Sequence, residues 1–515
     1  MALIEIILFL LLCSVSLGWV ARRAGFPYPI ALVLGGNVLG FIPGLPSLSL
    51  DPQVLLVVVL PPILYQAALL TSWRDFKANL RPIGMLAVGL VIVTTLAVGA
   101  TLKALVPDIP WPAAFAFGAI VSPPDAVAAT AILSRMHLQR RIVTILEGES
   151  LVNDASGLVL YKIAVAAALS GAFSIGTASL QFAQVSLGGV AVGIALGLLF
   201  VRIHGHLKDP FVEVLVSLSI PYTAYVLAES VHVSGVLAVV AAGLLRGRYS
   251  PAIVSANTRI LARSMWNIVV FMLNSLIFIL IGLQLSGVMG RLQGYRGFDL
   301  PMIALATAFV AIVVRFAWVY VAEYLPGLMS RRGMRPLHGE AFVIGWCGMR
   351  GIVSLAAALA LPMASSDGGL FPYRDLIVFL TFVVITITLV LQGLTLAPII
   401  RRLALAADHS LTQEQDWART AMAGAALEAI DRFASRTPVA AEIHQRLRTE
   451  FGDRLLHVQR TDDHARHAHD VTSRLRRTAI RAEREELIRI WREGRISDEV
   501  LRHFEEELDY AEAKQ

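Results

Sequence analysis

Ser122-Pro123-Pro124-Asp125-Ala126-Val127-Ala128 stands in the middle of the apolar run 111–134. A proline has no amide hydrogen, and its ring clashes with the carbonyl one turn back. Two in succession therefore free the carbonyls of Ala119 and Ile120 and predict a break in a helix. Asp125 lies beside that break, too deep in the run to be a carboxylate that snorkels to a surface. Interrupted helices at bilayer depth survive only where protein or a water-filled cavity satisfies their backbone, and the exposed carbonyls and half-helix dipoles are suited to holding ions.

Composition puts that run in a membrane. Of 515 residues 56% are hydrophobic and 16% charged, with mean hydropathy +0.67, which is not the balance of a soluble globular chain. Of the 82 Asp, Glu, Lys and Arg residues, 42 fall in 401–515 and 40 in the first 400. The net charge of +6 arises inside the hydrophobic part, with 24 basic against 16 acidic residues there and 20 against 22 in the tail. A basic nucleic-acid-binding surface is therefore not implied. Cys13 and Cys347, both in apolar runs, exclude a disulfide scaffold or a thiolate zinc site. The first apolar run begins at Ala2 without a basic n-region or a small-residue cleavage site, and reads as a retained helix.

A bilayer core of about 30 Å needs about 20 mostly apolar residues per helix. Thirteen such runs are predicted, at 3–20, 27–42, 53–70, 82–105, 111–134, 142–168, 181–201, 211–228, 233–245, 265–286, 300–324, 341–362 and 375–400. The positive-inside rule tests the count. Alternate loops carry seventeen basic residues (Arg22, Arg23, Arg74, Lys77, Arg81, Arg135, Arg140, Arg141, Arg202, Lys208, Arg246, Arg248, Arg259, Arg263, Arg331, Arg332 and Arg335), against Arg291, Arg296 and Arg374 in the opposite set, with Lys103 at a helix end. The expected arrangement is a multi-pass protein of the cell membrane, N-terminus outside and C-terminus cytoplasmic. Residues 1–403 form the transmembrane part, with inverted halves at about 3–168 and 211–400. Residues 404–515 read as a cytosolic helical tail without a Gly-rich phosphate loop, and no cofactor is implied.

Ionisable groups inside such runs cost about 2.5–3.5 kcal/mol each on insertion scales, so each needs a partner, water or a task. Asp125, Glu149, Asp154, Arg315 and Arg350 stand out, with Glu147 and Lys162 nearer the ends of their helix. Glu147-Gly148-Glu149-Ser150-Leu151-Val152-Asn153-Asp154 places Glu149 and Asn153 on one helix face at i, i+4, with Asp154 about 100° further round. A carboxylate partly withdrawn from water can hold a proton near neutral pH or ligate a hard cation through oxygen, so the two compete. Arg315 must meet a carboxylate, and Glu149 is the candidate for a structural ion pair. Arg350, in Gly345-Trp346-Cys347-Gly348-Met349-Arg350-Gly351, marks a second loosened helix, where it meets the negative ends of half-helices or lines a water-filled funnel. Glu147 faces inward from the basic-loop side and reads as part of the route in for cations; Lys162 reads as a snorkelling lysine.

These motifs, Ser122–Ala128, Glu147–Ala155 and Gly348–Gly351, closely resemble the sodium/proton exchanger branch of the monovalent cation/proton antiporters over roughly residues 1–400. The resemblance implies thirteen helices, a core domain with two crossing interrupted helices, a dimerisation domain, a homodimer, alternating access of the elevator kind and a part in pH homeostasis. It makes Asp154 the essential cation- and proton-binding carboxylate and Asp125 the acid of the first interrupted helix. Asn153 matches the amide of electroneutral members, Glu149 and Arg315 the core ion pair, and Ser150 an auxiliary ligand. Na⁺ would thus be held at Asp154 and Asp125. Two positions depart from the pattern: Pro124 stands where many relatives carry a threonine, and Gln66, after Pro61-Pro62, where many carry an acid.

The expected function is exchange of a monovalent cation, Na⁺ first and Li⁺ or K⁺ as alternatives, for H⁺ across the bilayer, electroneutral, with cation and proton competing for Asp154. A K⁺/H⁺ antiporter, or a channel lined by the same acids, is the alternative. An intramembrane enzyme is disfavoured, because the spans hold no His-Glu-x-x-His helix and no histidine base. In the tail, His464, His467 and His469 with Asp462, Asp463 and Asp470 could bind a metal or sense pH, though a solvated polar stretch is the plainer reading.

Overall fold

In a medium without water each backbone amide and carbonyl must be satisfied within its own segment, and apolar runs of this length do so as helices. The computed structural model describes the chain apart from residues 1, 24–25, 43–54, 134–135, 137, 290–298, 330–337, 364–370, 404–409, 437–439, 460–462, 494, 496–499, 502–503, 505–506, 509–510 and 512–515. Among the described residues there is no strand. Nine helices there are long and apolar enough to cross a membrane. Three shorter apolar ones are Leu8–Ala21, Tyr28–Gly40 and Leu55–Leu70. The predicted run 341–362 falls on two short helices, His338–Trp346 and Ile352–Leu359. Of the loop residues that set the predicted orientation, Arg135, Arg291, Arg296, Arg331, Arg332 and Arg335 lie outside the described residues.

By contact the chain divides into Met1–Ala407 and Asp408–Gln515. Within the first unit the helices fall into two sets. Tyr28–Gly40 packs on Ala256–Met289, and Gly235–Ile253 packs on Leu60–Leu70, Ile175–His204 and Pro210–Ser230. In the other set Val91–Leu105, Arg140–Ser170, Asp299–Met329 and Arg374–Leu403 surround the interrupted helices, of which Trp111–Val121 is one half. The second set holds nearly all the acids and arginines singled out above, and its face toward the first carries the candidate site.

In the second unit Ser410–Arg436 packs against Ala441–Gln459, with Asp431 and His444 paired at 2.9 Å. Asp463–Arg492 is also helical, so the histidine-rich stretch belongs to a helix from Asp463 on. Asp462 and the side chains of Asp463, His464, His467, His469 and Asp470 lie outside the described residues.

Candidate cation and proton site

The double proline does what its chemistry dictates. Trp111–Val121 ends at Ser122, and a second helix begins at Ala126 and runs to Leu133. Several backbone groups around the gap find partners, as buried polar groups require. Ser122 Oγ donates to the Ala119 carbonyl at 3.0 Å, and Arg350 Nε to that of Val121 at 3.0 Å. Asn153 Nδ2 donates to the Pro124 carbonyl at 3.1 Å. The Asp125 amide donates to the Met349 carbonyl at 2.6 Å. Ser150 Oγ accepts from the Ala126 amide at 3.4 Å, and Asp125 Oδ1 accepts from the Val127 amide at 2.8 Å, capping the second half-helix.

The second break mirrors this with cations. His338–Trp346 ends where Arg315 donates through Nε and Nη2 to the Ile344 carbonyl, at 3.3 and 3.1 Å. Arg350 donates to the carbonyl of Gly348, and its own amide to Thr388 Oγ1 at 3.1 Å. Two guanidiniums thus stand at the negative ends of two half-helices, where positive charge is favoured. Arg315 also grips both oxygens of Glu149, at 2.5 and 2.9 Å, each partner 1% exposed. Arg350, also 1% exposed, braces the crossing; of its two predicted settings the structure places it at the half-helix ends and not on the funnel wall.

Between the two helix sets lies a cavity of about 570 Å³. Pro123, Pro124, Asp125, Glu147, Ser150 and Asp154 line one side, and Gln66, Asn267 and Asn274 the other. Asp154 is 6% exposed, and no described residue donates a hydrogen bond to its carboxylate. Asp125 Oδ2 is likewise buried without a partner. Asn153 is not on the wall: it is fully buried behind Pro124, with its Oδ1 unpartnered. Of the residues expected to hold the ion, the structure brings Asp154, Asp125 and Ser150 to one cavity, joins Glu147 to them, and sets Asn153 behind as a support of the break.

Two close approaches build this arrangement. A Cβ on Gly351 would strike the Asp125 carboxylate, and one on Gly157 would strike the ring of Pro123. Lys162 is not a free snorkelling lysine: its Nζ meets Glu229 of the helix Pro210–Ser230 at 2.9 Å, and Glu229 also accepts from the Gly235 amide at 3.3 Å. Asn267 and Asn274 escaped the sequence reading. They stand at i, i+7 in the apolar helix Ala256–Met289, a polar stripe that a search for amides as well as charges would have found. Gln66 Nε2 donates to Asn267 Oδ1 at 3.1 Å. Two carboxylates, a hydroxyl and neutral amides suit a hard cation bound through oxygen. No group of three His, Cys, Asp or Glu among the described residues is placed to hold a resident metal.

An all-helical membrane protein whose two interrupted helices cross beside buried carboxylates has the architecture of a secondary ion transporter. Residues 7–402 match the family model described as sodium/hydrogen exchanger, transmembrane. An uncharacterised Na⁺/H⁺ exchanger of Mycobacterium tuberculosis is 35% identical over 99% of this chain and 96% of its own. A sodium, potassium, lithium and rubidium/H⁺ antiporter of Bacillus pumilus is 36% identical over 72% of this chain and 57% of its own. The sodium proton antiporter MjNhaP1 of Methanocaldococcus jannaschii has the same fold, with TM-score 0.64 at 20% identity over 78% of this chain and 98% of that one. The chain belongs to the sodium/hydrogen exchanger family, and is a multi-pass cation/proton antiporter.

Proposed function

We propose that the protein exchanges Na⁺ for H⁺ with no net charge moved, and that the two ions compete for Asp154. The observation that carries this reading is the pair of carboxylates on one cavity wall, Asp154 without a hydrogen-bond donor and Asp125 with one free oxygen. A bare carboxylate is costly to carry through a low-dielectric barrier, whereas the sodium-bound and protonated forms are both neutralised and can move. Glu149 is outside this cycle because Arg315 already neutralises it. Asp125 spends one oxygen on the Val127 amide and offers the other to the ion, with Ser150 beside it. The same reading has the N-terminus outside, the tail in the cytoplasm and the chain as a homodimer.

K⁺ is the second reading. The polar groups on the cavity wall opposite the acids include the neutral amides Gln66, Asn267 and Asn274, which select a cation by charge density less strongly than a third carboxylate does; the Bacillus pumilus relative is named for four alkali cations.

Purified protein in liposomes with a luminal pH reporter and clamped potential tests both. Outside Na⁺ should alkalinise the lumen at a rate indifferent to potential, and Asp154→Asn should abolish the signal. Silence with Na⁺, Li⁺ and K⁺ in folded protein would remove the exchange reading; a current at fixed potential would replace it with a channel.

A further inference from the structure

A second cavity, of about 380 Å³, adjoins the first and shares Gln66, Leu70 and Asn267 with it. Its wall includes Arg246 and Glu213, which are 5% and 2% exposed. The sequence places Arg246 in a basic loop, whereas it stands buried inside the helix Gly235–Ile253. The two do not satisfy one another: Nε and Nη1 of Arg246 and Oε2 of Glu213 are all buried without a hydrogen-bond partner. A guanidinium keeps its proton at any physiological pH and presents five donors, so burial with two nitrogens unpaired calls for an acceptor from outside the chain.

The charge around Arg246 says which kind. Arg259 and Arg263, one turn apart at the start of Ala256–Met289, bring two more guanidiniums to the cavity, so that three arginines face one acid. Arg259 gives one nitrogen to the Val254 carbonyl at 2.9 Å. The hydroxyls of Ser250 and Ser217 also line the wall; Ser217 Oγ accepts from Trp266 Nε1 at 3.1 Å. Guanidiniums in a convergent group match a phosphate, which they grip two donors at a time. Gln66, Asn267 and Thr258 add neutral polar groups to the wall, and Leu69, Leu70, Pro251 and Val254 give it an apolar edge, where Leu70 is 59% exposed.

We propose that this cavity binds the phosphate group of an anionic phospholipid, held by Arg246, Arg259 and Arg263, with an acyl chain leaving along Leu70. Basic pockets between membrane helices near the surface recognise such headgroups. Glu213, the one acid among the four charges on the wall, then favours a phosphodiester of single charge over a doubly charged phosphate. Free phosphate shares the headgroup chemistry but makes no use of the apolar edge.

The full-length protein in detergent is titrated with dioctanoyl phosphatidylglycerol, dioctanoyl phosphatidylcholine and inorganic phosphate, and binding is read by native mass spectrometry and by thermal shift. Neither readout depends on ion exchange, so a failure here is distinct from a failure of the transport reading. Phosphatidylglycerol should bind, and the zwitterionic lipid and phosphate should bind about tenfold more weakly or less. Arg259→Gln with Arg263→Gln, both on exposed residues and so compatible with folding, should weaken phosphatidylglycerol by about tenfold. Arg246→Lys, which keeps the charge but loses the fork, should weaken it further. Equal binding of the two lipids, or unchanged binding in the double variant, overturns the proposal. Inorganic phosphate binding as tightly as phosphatidylglycerol overturns the lipid as ligand and leaves phosphate alone.

Discussion

The amide of Asp125 donates to the carbonyl of Met349 at 2.6 Å, so the two interrupted helices are tied backbone to backbone at the points where each ceases to be a helix. The same Asp125 also caps its own second half-helix through Oδ1. One residue thus joins the break, the crossing and the cavity.

Gly351 is the neighbour that this crossing cannot enlarge. A methyl group there meets the Asp125 carboxylate, and overpacking of this kind costs about 1–3 kcal/mol. Gly351→Ala should therefore fold with a lowered unfolding temperature and lose most of its exchange in liposomes. Unchanged exchange would show that the crossing tolerates displacement of Asp125.

Breaking the Glu149–Arg315 pair from one side should cost about 3–5 kcal/mol, because the remaining charge stays buried without its counter-ion. Glu149→Gln is expected to lower the unfolding temperature sharply. Glu149→Gln with Arg315→Met should lose clearly less than the two single losses added together. Simple additivity in the thermal-unfolding cycle would mean that the pair is not coupled.

Competition at Asp154 has a signature in pH. If one proton excludes one cation, the cation concentration for half-maximal exchange should rise about tenfold per pH unit on the acid side of the carboxylate's titration, at constant maximal rate. Asp154→Glu should keep exchange with that profile displaced. A half-saturation value flat across pH in wild-type liposomes would separate the proton and cation sites.

Lys162 and Glu229 are an exposed pair, with side chains 55% and 35% accessible, and such pairs contribute about 0–1 kcal/mol. Lys162→Gln should barely move the unfolding temperature. Because the pair links the Asp154 helix to the other helix set, it should instead change the exchange rate, and Lys162→Glu with Glu229→Lys should restore it. A rate insensitive to Lys162→Gln would assign the pair to packing alone.

Much of this site is legible in one dimension because its chemistry is local. Two prolines without amide hydrogens interrupt a helix wherever they fall, and acids in an apolar run stand out because the bilayer makes them expensive. Glu149 as the partner of Arg315 was accessible to elimination, since few buried acids were available. The neutral side chains were not. Asn267 and Asn274 cost little to insert and send no charge signal, and the family resemblance that puts Asn153 in the site does not say which way its side chain turns.

What the sequence by itself determined is the helical membrane architecture, the two interruptions and the inventory of buried charge, because hydropathy, proline geometry and the cost of charge in hydrocarbon act residue by residue. Only the tertiary structure decided that Asp154 and Ser150 face a cavity while Asn153 turns behind Pro124, that Arg350 braces half-helix ends, and that Arg246 and Glu213 are buried without satisfying each other. Those outcomes depend on how neighbouring helices rotate and close against one another, bringing together residues from 29 positions apart, as Asn153 and Pro124, to 229 apart, as Arg350 and Val121.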